Sequence, residues 1–232
     1  MSSSLAGRAM EVKMTLLINL YGGPGTGKST CCAGLFFKFK TLDYNCEMAR
    51  EYAKGKVWEN SLDVLKDQPY VFGKQLHKFK ILCDKVDVII TDSPLLLSLY
   101  YGDKETESFK NFVLGEHNKF NSINIFLNRV KKFNPSGRLQ SEEESKNIDV
   151  KVKEILDKNN IKYYIFDGTR EAVNEIFYFL KLGGHLDVKL NMPIVSSSEL
   201  NSNGDIFPIE NLDRYFVEHI YKKNLNNKKF GK

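Results

Sequence analysis

The sequence predicts an α/β chain in three layers, a five-stranded parallel sheet with helices on both faces. Three observations predict it. Short apolar runs rich in β-branched residues recur along the chain, and each is followed by a longer segment with helical spacing. The first run leads into a glycine-rich string that opens a helix. The chain has 232 residues, enough for one domain of this kind with an extension.

The elements follow in order. Residues 15–21, Thr-Leu-Leu-Ile-Asn-Leu-Tyr, read as a buried first strand, and the helix after the glycine-rich string runs to about residue 39. Residues 45–49 read as a short second strand. Residues 56–84 read as mostly helical, broken near Gln68 and Pro69. The apolar run at 86–91 is the third strand. Residues 95–101 begin a helical stretch that 104–119 continues. Residues 123–127 are the fourth strand, and Asn134, Pro135, Ser136 and Gly137 signal a turn. Residues 142–159 form a helix with Ile148, Val152, Ile155 and Leu156 on one side. Residues 161–166 are the fifth strand and 170–180 the helix after it. Strands alternating with helices of this length imply parallel βαβ units, whose ligands sit beyond the carboxyl ends of the strands.

Residues 22–29 read Gly-Gly-Pro-Gly-Thr-Gly-Lys-Ser, which satisfies the pattern G-x-x-x-x-G-K-S/T in full. The strand before it and the helix after it supply the context of a phosphate-binding loop. Such a loop aims successive backbone N–H groups at one point, and the helix N-terminus adds its positive end. Gly23, Pro24, Gly25, Thr26, Gly27, Lys28, Ser29 and Thr30 are the expected nucleotide-binding residues, with Lys28 at the β- and γ-phosphates and the Ser29 hydroxyl on Mg²⁺. The fold is therefore expected to be a P-loop NTPase built on a doubly wound parallel sheet.

Other candidates fall just after predicted strands. Asp92 ends the third strand in Thr91-Asp-Ser-Pro94, where a carboxylate can hold Mg²⁺ or accept a proton from an attacking hydroxyl. The same string can also cap a helix. Arg50 and Glu51 follow the second strand and are candidates for an anionic substrate group and a sugar hydroxyl, or form an exposed ion pair. Gln75, on the helical stretch, reads as an exposed polar position. Arg129, Lys131, Lys132 and Arg138 surround the Pro-Ser-Gly turn after the fourth strand. A basic hinged segment at 129–141 fits a lid over a transferring phosphoryl group, with Arg129 and Arg138 as the gripping residues because guanidinium binds phosphate bidentately. Asp167 to Arg170 after the fifth strand is expected to border an adenine or to cap the last helix.

Composition narrows the class. The chain is 42% hydrophobic and 27% charged, with no apolar run long enough to span a membrane and no signal-peptide core, so a cytoplasmic protein is expected. Cys31, Cys32, Cys46 and Cys83 lack metal or redox spacing and read as reduced thiols, and the four histidines show no ligand spacing. Net charge is +5, and five lysines in residues 221–232 account for it. That basic tail is a candidate for nucleic-acid contact or a solvated terminus. Residues 1–12 read as a disordered arm or expression leader, 13–183 as the P-loop domain and 184–232 as a C-terminal extension.

The phosphate loop, Ala49-Arg-Glu-Tyr52, Thr91-Asp-Ser-Pro94 and the string 135–144 together resemble the small P-loop ATPase/kinase proteins common in bacteriophages. These are similar to the ribosylnicotinamide-kinase domain and to nucleoside monophosphate kinases. The resemblance covers about residues 15–180 and implies a nucleotide-kinase-like fold, ATP with Mg²⁺, and phosphoryl transfer to a small acceptor. The expected activity is transfer of the γ-phosphate of ATP to a hydroxyl or phosphate of a nucleoside- or nucleotide-like acceptor, by a monomer or homodimer. It places Asp92 as the acid after the third strand and Arg129 and Arg138 as lid arginines. A P-loop ATPase coupled to a protein partner, or a kinase acting on a nucleic-acid hydroxyl, are the alternatives. Thr91-Asp-Ser-Pro94 lacks the acidic pair usual in hydrolytic ATPases, which favours the kinase.

Overall fold

Alternation of apolar side chains along the first strand decides the layering. β1, Leu16–Tyr21, is buried at every position. Leu16, Ile18 and Leu20 join one core and Leu17 and Tyr21 the other, because successive side chains leave a strand on opposite faces. A strand buried on both faces belongs in the middle of a covered parallel sheet. The computed structural model describes residues 14–130, 132 and 140–186. Within them β1 is joined by β2, Cys46–Ala49, β3, Val88–Thr91, β4, Asn121–Asn128, and β5, Tyr163–Asp167. The sheet is wholly parallel in the order β2-β3-β1-β4-β5. The three-layer α/β P-loop fold expected from the sequence is the fold observed.

One face carries α1, Lys28–Thr41, and α7, Ala172–Leu182, whose Cys32, Leu35, Phe39, Ile176 and Leu180 meet the sheet. The other carries α3, Gln68–Lys80, α5, Glu107–His117, and α6, Glu142–Lys158, through Phe72, Leu76, Val113, Ile148, Val152 and Leu156. A capping box, Ser141 with Glu144, starts α6 where the polar string predicts it.

The stretch expected to be one broken helix is divided further. α2, Tyr52–Trp58, starts before the predicted helix, and a 3₁₀ turn at Leu62–Lys66 separates it from α3. Its early start has a tertiary cause. Gln75 Oε1 on α3 accepts the Tyr52 N–H at 3.2 Å, satisfying an N-terminal amide that no local side chain caps. Asp67 accepts from Tyr70 N–H at 3.1 Å and Pro69 stands in the first turn, so α3 begins at the predicted break. A second 3₁₀ turn, Leu95–Leu97, leads into the single helical turn α4, Ser98–Tyr101. No helix among the described residues is long and apolar enough to cross a membrane. Residues 1–12, the basic tail 221–232 and the extension from 187 onward lie outside the described residues, as does Arg138.

Candidate active site

The loop between β1 and α1 takes its shape from glycine. Gly22, Gly25 and Gly27 have φ of 130°, 90° and 98°, a region that side chains oppose. Gly27 is the N-cap of α1 and offers no side-chain acceptor, so the first-turn N–H groups of α1 are left for a ligand. Lys28 folds back over the loop and donates from Nζ to Gly22 O at 2.6 Å and Gly23 O at 2.9 Å. Burial lowers the Lys28 pKa, against the carboxylates of Glu51, Asp92 and Asp149, which raise it; Arg129 lowers it further. Thr26 is buried and donates from Oγ1 to Gly23 O at 3.1 Å.

Strand order brings the acids to this loop. β3 lies directly beside β1, with no strand between them, so Asp92, one residue past β3, is delivered next to the phosphate loop. It is 7% exposed, and Oδ1 is buried with no hydrogen-bond partner. Pro94, not Asp92, precedes the 3₁₀ turn, and no side chain caps that turn. A buried carboxylate oxygen without a donor is costly unless a ligand supplies one. Glu51 comes from the end of β2 and lines the same cleft. Burial pushes its pKa up, Lys28 pulls it down and Asp92 pushes it up again.

Thr91 and Gln75 hold these strand ends together. Thr91 Oγ1 donates to Ala49 O at 2.8 Å and accepts from Ser93 N–H at 3.1 Å. Gln75, expected at the surface, is 5% exposed and lines the cleft. Its place follows from α3 turning its Phe72, Gln75, Leu76 and Phe79 face inward, a stripe in which an amide breaks the apolar pattern. Arg50 is exposed and does not line the cleft, and its carbonyl accepts from Lys78 Nζ at 2.7 Å.

Arg129 is placed differently from a lid residue. It stands just past β4 with a side chain 10% exposed, pairing through Nε with Asp149 Oδ2 of α6 at 3.0 Å. Nη1 donates to Pro24 O at 2.8 Å and Nη2 to Ser145 O at 3.2 Å. Three acceptors around one planar fork fix it against the phosphate loop. Asp149 goes unnoticed in the sequence, and Gly168 reads there only as part of the 167–170 turn. Asp149 follows the inward-facing Ile148 and has the spacing of a solvent-facing acid. Gly168, after β5, packs on the loop, and its N–H donates to Asn128 O at 2.9 Å. Neither Asp167 nor Thr169 caps α7, whose N-cap is Glu171.

A family model described as an AAA domain matches residues 17–172. The chain belongs to that family. The span of the AAA domain runs from β1 to the first residue of α7 and takes in the phosphate loop, Glu51, Asp92, Arg129, Asp149 and Gly168. Similar solved structures include a deoxyadenosine kinase from M. mycoides with bound dCTP, at 19% identity and TM-score 0.45, covering 72% of this chain and 99% of that one. Shikimate kinase from Aquifex aeolicus is 20% identical with TM-score 0.43, covering 73% of this chain and 97% of that one. Shikimate kinase from Bacteroides thetaiotaomicron is 16% identical with TM-score 0.42, covering 75% and 99%. No curated protein matches the chain.

In this AAA domain the loop opens onto a cleft of about 520 Å³. One end is Gly22, Gly25, Gly27, Lys28, Ser29 and Thr30. The other is walled by α2, α3 and α4 and presents Glu51, Tyr52, Gln68, Gln75, Ser98 and Tyr101 beside apolar Val57, Leu65, Val71 and Leu97.

Proposed function

We propose that this chain is an ATP- and Mg²⁺-dependent phosphotransferase that moves the γ-phosphate of ATP to a hydroxyl or phosphate of a nucleoside- or nucleotide-like acceptor. The observation that carries this reading is the continuity of the cleft. Hydrolysis needs room for one water beside the phosphate loop. Here the space runs on into a compartment lined by apolar side chains, amides and hydroxyls, which is the composition of a site for an organic molecule.

The residues fit the groups this requires. The left-handed glycines and the uncapped start of α1 fit a polyphosphate, and the unpartnered Asp92 Oδ1 fits a donor or a hydrated cation. Backbone N–H groups of residues 25–30 would hold the β- and γ-phosphates with Lys28. Ser29 Oγ, and Asp92 through water, would hold Mg²⁺, which would supply Lewis-acid neutralisation of the phosphate charge. In the transfer the acceptor oxygen forms a bond to Pγ, and the bond from Pγ to the bridging β-oxygen breaks, leaving ADP. The hydroxyl proton passes to a carboxylate, Asp92 in this reading, with Glu51 orienting the acceptor. Arg129 acts through the loop it braces, and Arg138 would reach the phosphates from the lid segment.

The test is transfer of label from [γ-³²P]ATP with Mg²⁺ to a panel of nucleosides and nucleotides. A labelled organic product is the expected result. Steady release of inorganic phosphate with no labelled acceptor would instead establish an ATPase.

A further inference from the structure

The peptide unit between Gly22 and Gly23 is held at both ends. Its N–H donates to Asp149 Oδ1 on α6. Its carbonyl, Gly22 O, accepts from Lys28 Nζ at 2.6 Å. A trans peptide is planar, with N–H and C=O pointing opposite ways, so fixing one end fixes the other. Asp149 is itself held, because its second oxygen accepts from Arg129, and Arg129 is bound to Pro24 O and Ser145 O. The side chains of the pair are 10% and 16% exposed. The packing leaves no slack: a Cβ on Gly23 would stand 2.5 Å from Ser145 O and 2.8 Å from Asp149 Oδ1. Both charges are also felt at the far end of the relay, since Asp149 raises and Arg129 lowers the pKa of Lys28.

We propose that Asp149 is a positioning residue for Lys28, acting through the Gly22–Gly23 peptide, and that Arg129 keeps Asp149 in place. The inference rests on the nucleotide-binding reading above. Without an acceptor at position 149 the glycine peptide is free to rotate, and a rotated peptide turns its N–H toward the ammonium instead of its C=O. That repels Lys28 from the point where it rests before meeting phosphate. Two adjacent glycines are the residues in which such a rotation meets the least steric resistance.

The alternative is an ion pair that merely ties α6 to β4, and a thermodynamic cycle separates the two. Affinity for Mg²⁺-ATP is measured by titration for the wild type, Asp149→Ala, Lys28→Met and the double variant. We expect Asp149→Ala to weaken binding about tenfold, the loss corresponding to one hydrogen bond to a charged group. In the Lys28→Met background the same change should alter affinity by less than about twofold, since its target is gone. Equal losses in both backgrounds, or no loss in Asp149→Ala, overturn the proposal. If Asp149→Ala does not fold, Arg129→Met with Asp149→Leu replaces it in the cycle, because removing both charges leaves neither buried alone. A folded wild type with no affinity for Mg²⁺-ATP overturns the nucleotide reading and this inference together, whereas a binding wild type with additive losses overturns this inference alone.

Discussion

Gly168 and Thr26 come so close that a methyl group on the glycine would lie 2.0 Å from the Thr26 carbonyl oxygen. The turn after β5 thus forms part of the wall against which the phosphate loop is moulded. The obstacle is backbone on both sides, Thr26 O and Asn128 O, so no side-chain rotation relieves it. Gly168→Ala should cost about 1–3 kcal/mol of stability and displace the loop. Denaturant unfolding, with Mg²⁺-ATP titration of whatever remains folded, measures both effects. A variant with wild-type stability and affinity would show that the turn yields easily.

Lys28→Met should reduce phosphoryl transfer by about a hundredfold or more, the scale on which a single preorganised charge acts at a developing negative centre. The fold should survive, because the lost bonds go to two loop carbonyls at the cleft edge. Initial rates and a melting curve on the same preparation check this.

Asp92→Asn should leave ATP affinity close to wild type while turnover falls by about 10²–10⁴, the usual contribution of a positioned base. A normal kcat would remove Asp92 from the chemistry and leave its unpartnered oxygen without an explanation.

Glu51 carries a pH signature. Its folded pKa lies above the ordinary carboxylate value because it is buried. A raised folded pKa stabilises the native state below the unfolded pKa, and that contribution is lost as pH climbs through the folded value. Glu51→Gln has no such loss, so its stability advantage over the wild type should appear above the ordinary glutamate range and vanish at more acid pH. Urea unfolding across pH 4–8 reads it. In activity, the wild-type rate should fall as acid protonates Glu51, and that fall should be missing in the variant.

His117 gives the opposite sign. It is 4% exposed, and burial pushes its pKa from 6.5 to about 4. Between those values the unfolded chain binds a proton that the folded one does not, so stability falls as pH drops through this window. The full loss is about 3 kcal/mol at most. His117→Gln should flatten that part of the stability profile, which is far from the cleft and should leave turnover near neutral pH unchanged.

Local patterns carried most of the fold. Short, nearly continuous apolar runs marked β1, β3, β4 and β5, because a strand covered on both faces is apolar at most positions. The string at 22–29 marked the phosphate loop, because only glycine adopts its dihedrals at low cost. Ser141 and Glu144 marked the start of α6. The site was less legible wherever one residue's surroundings come from a distant element. Gln75 reads as surface because amides favour water, yet it is buried where it satisfies the Tyr52 N–H and approaches Thr91. Arg129 reads as part of a basic lid, yet Asp149, twenty residues on, draws it onto the loop.

By itself, the sequence of this chain determined the element order, the covered parallel sheet and the chemistry of one loop, since these depend on periodicity and on residues adjacent in the chain. Tertiary structure alone decided the strand order that seats Asp92 beside Lys28, the burial of Arg129 and Asp149, and the closeness of Gly168 to Thr26. Those relationships join residues from 20 to more than 140 positions apart, and a one-dimensional pattern holds no record of which distant backbone comes to rest against which.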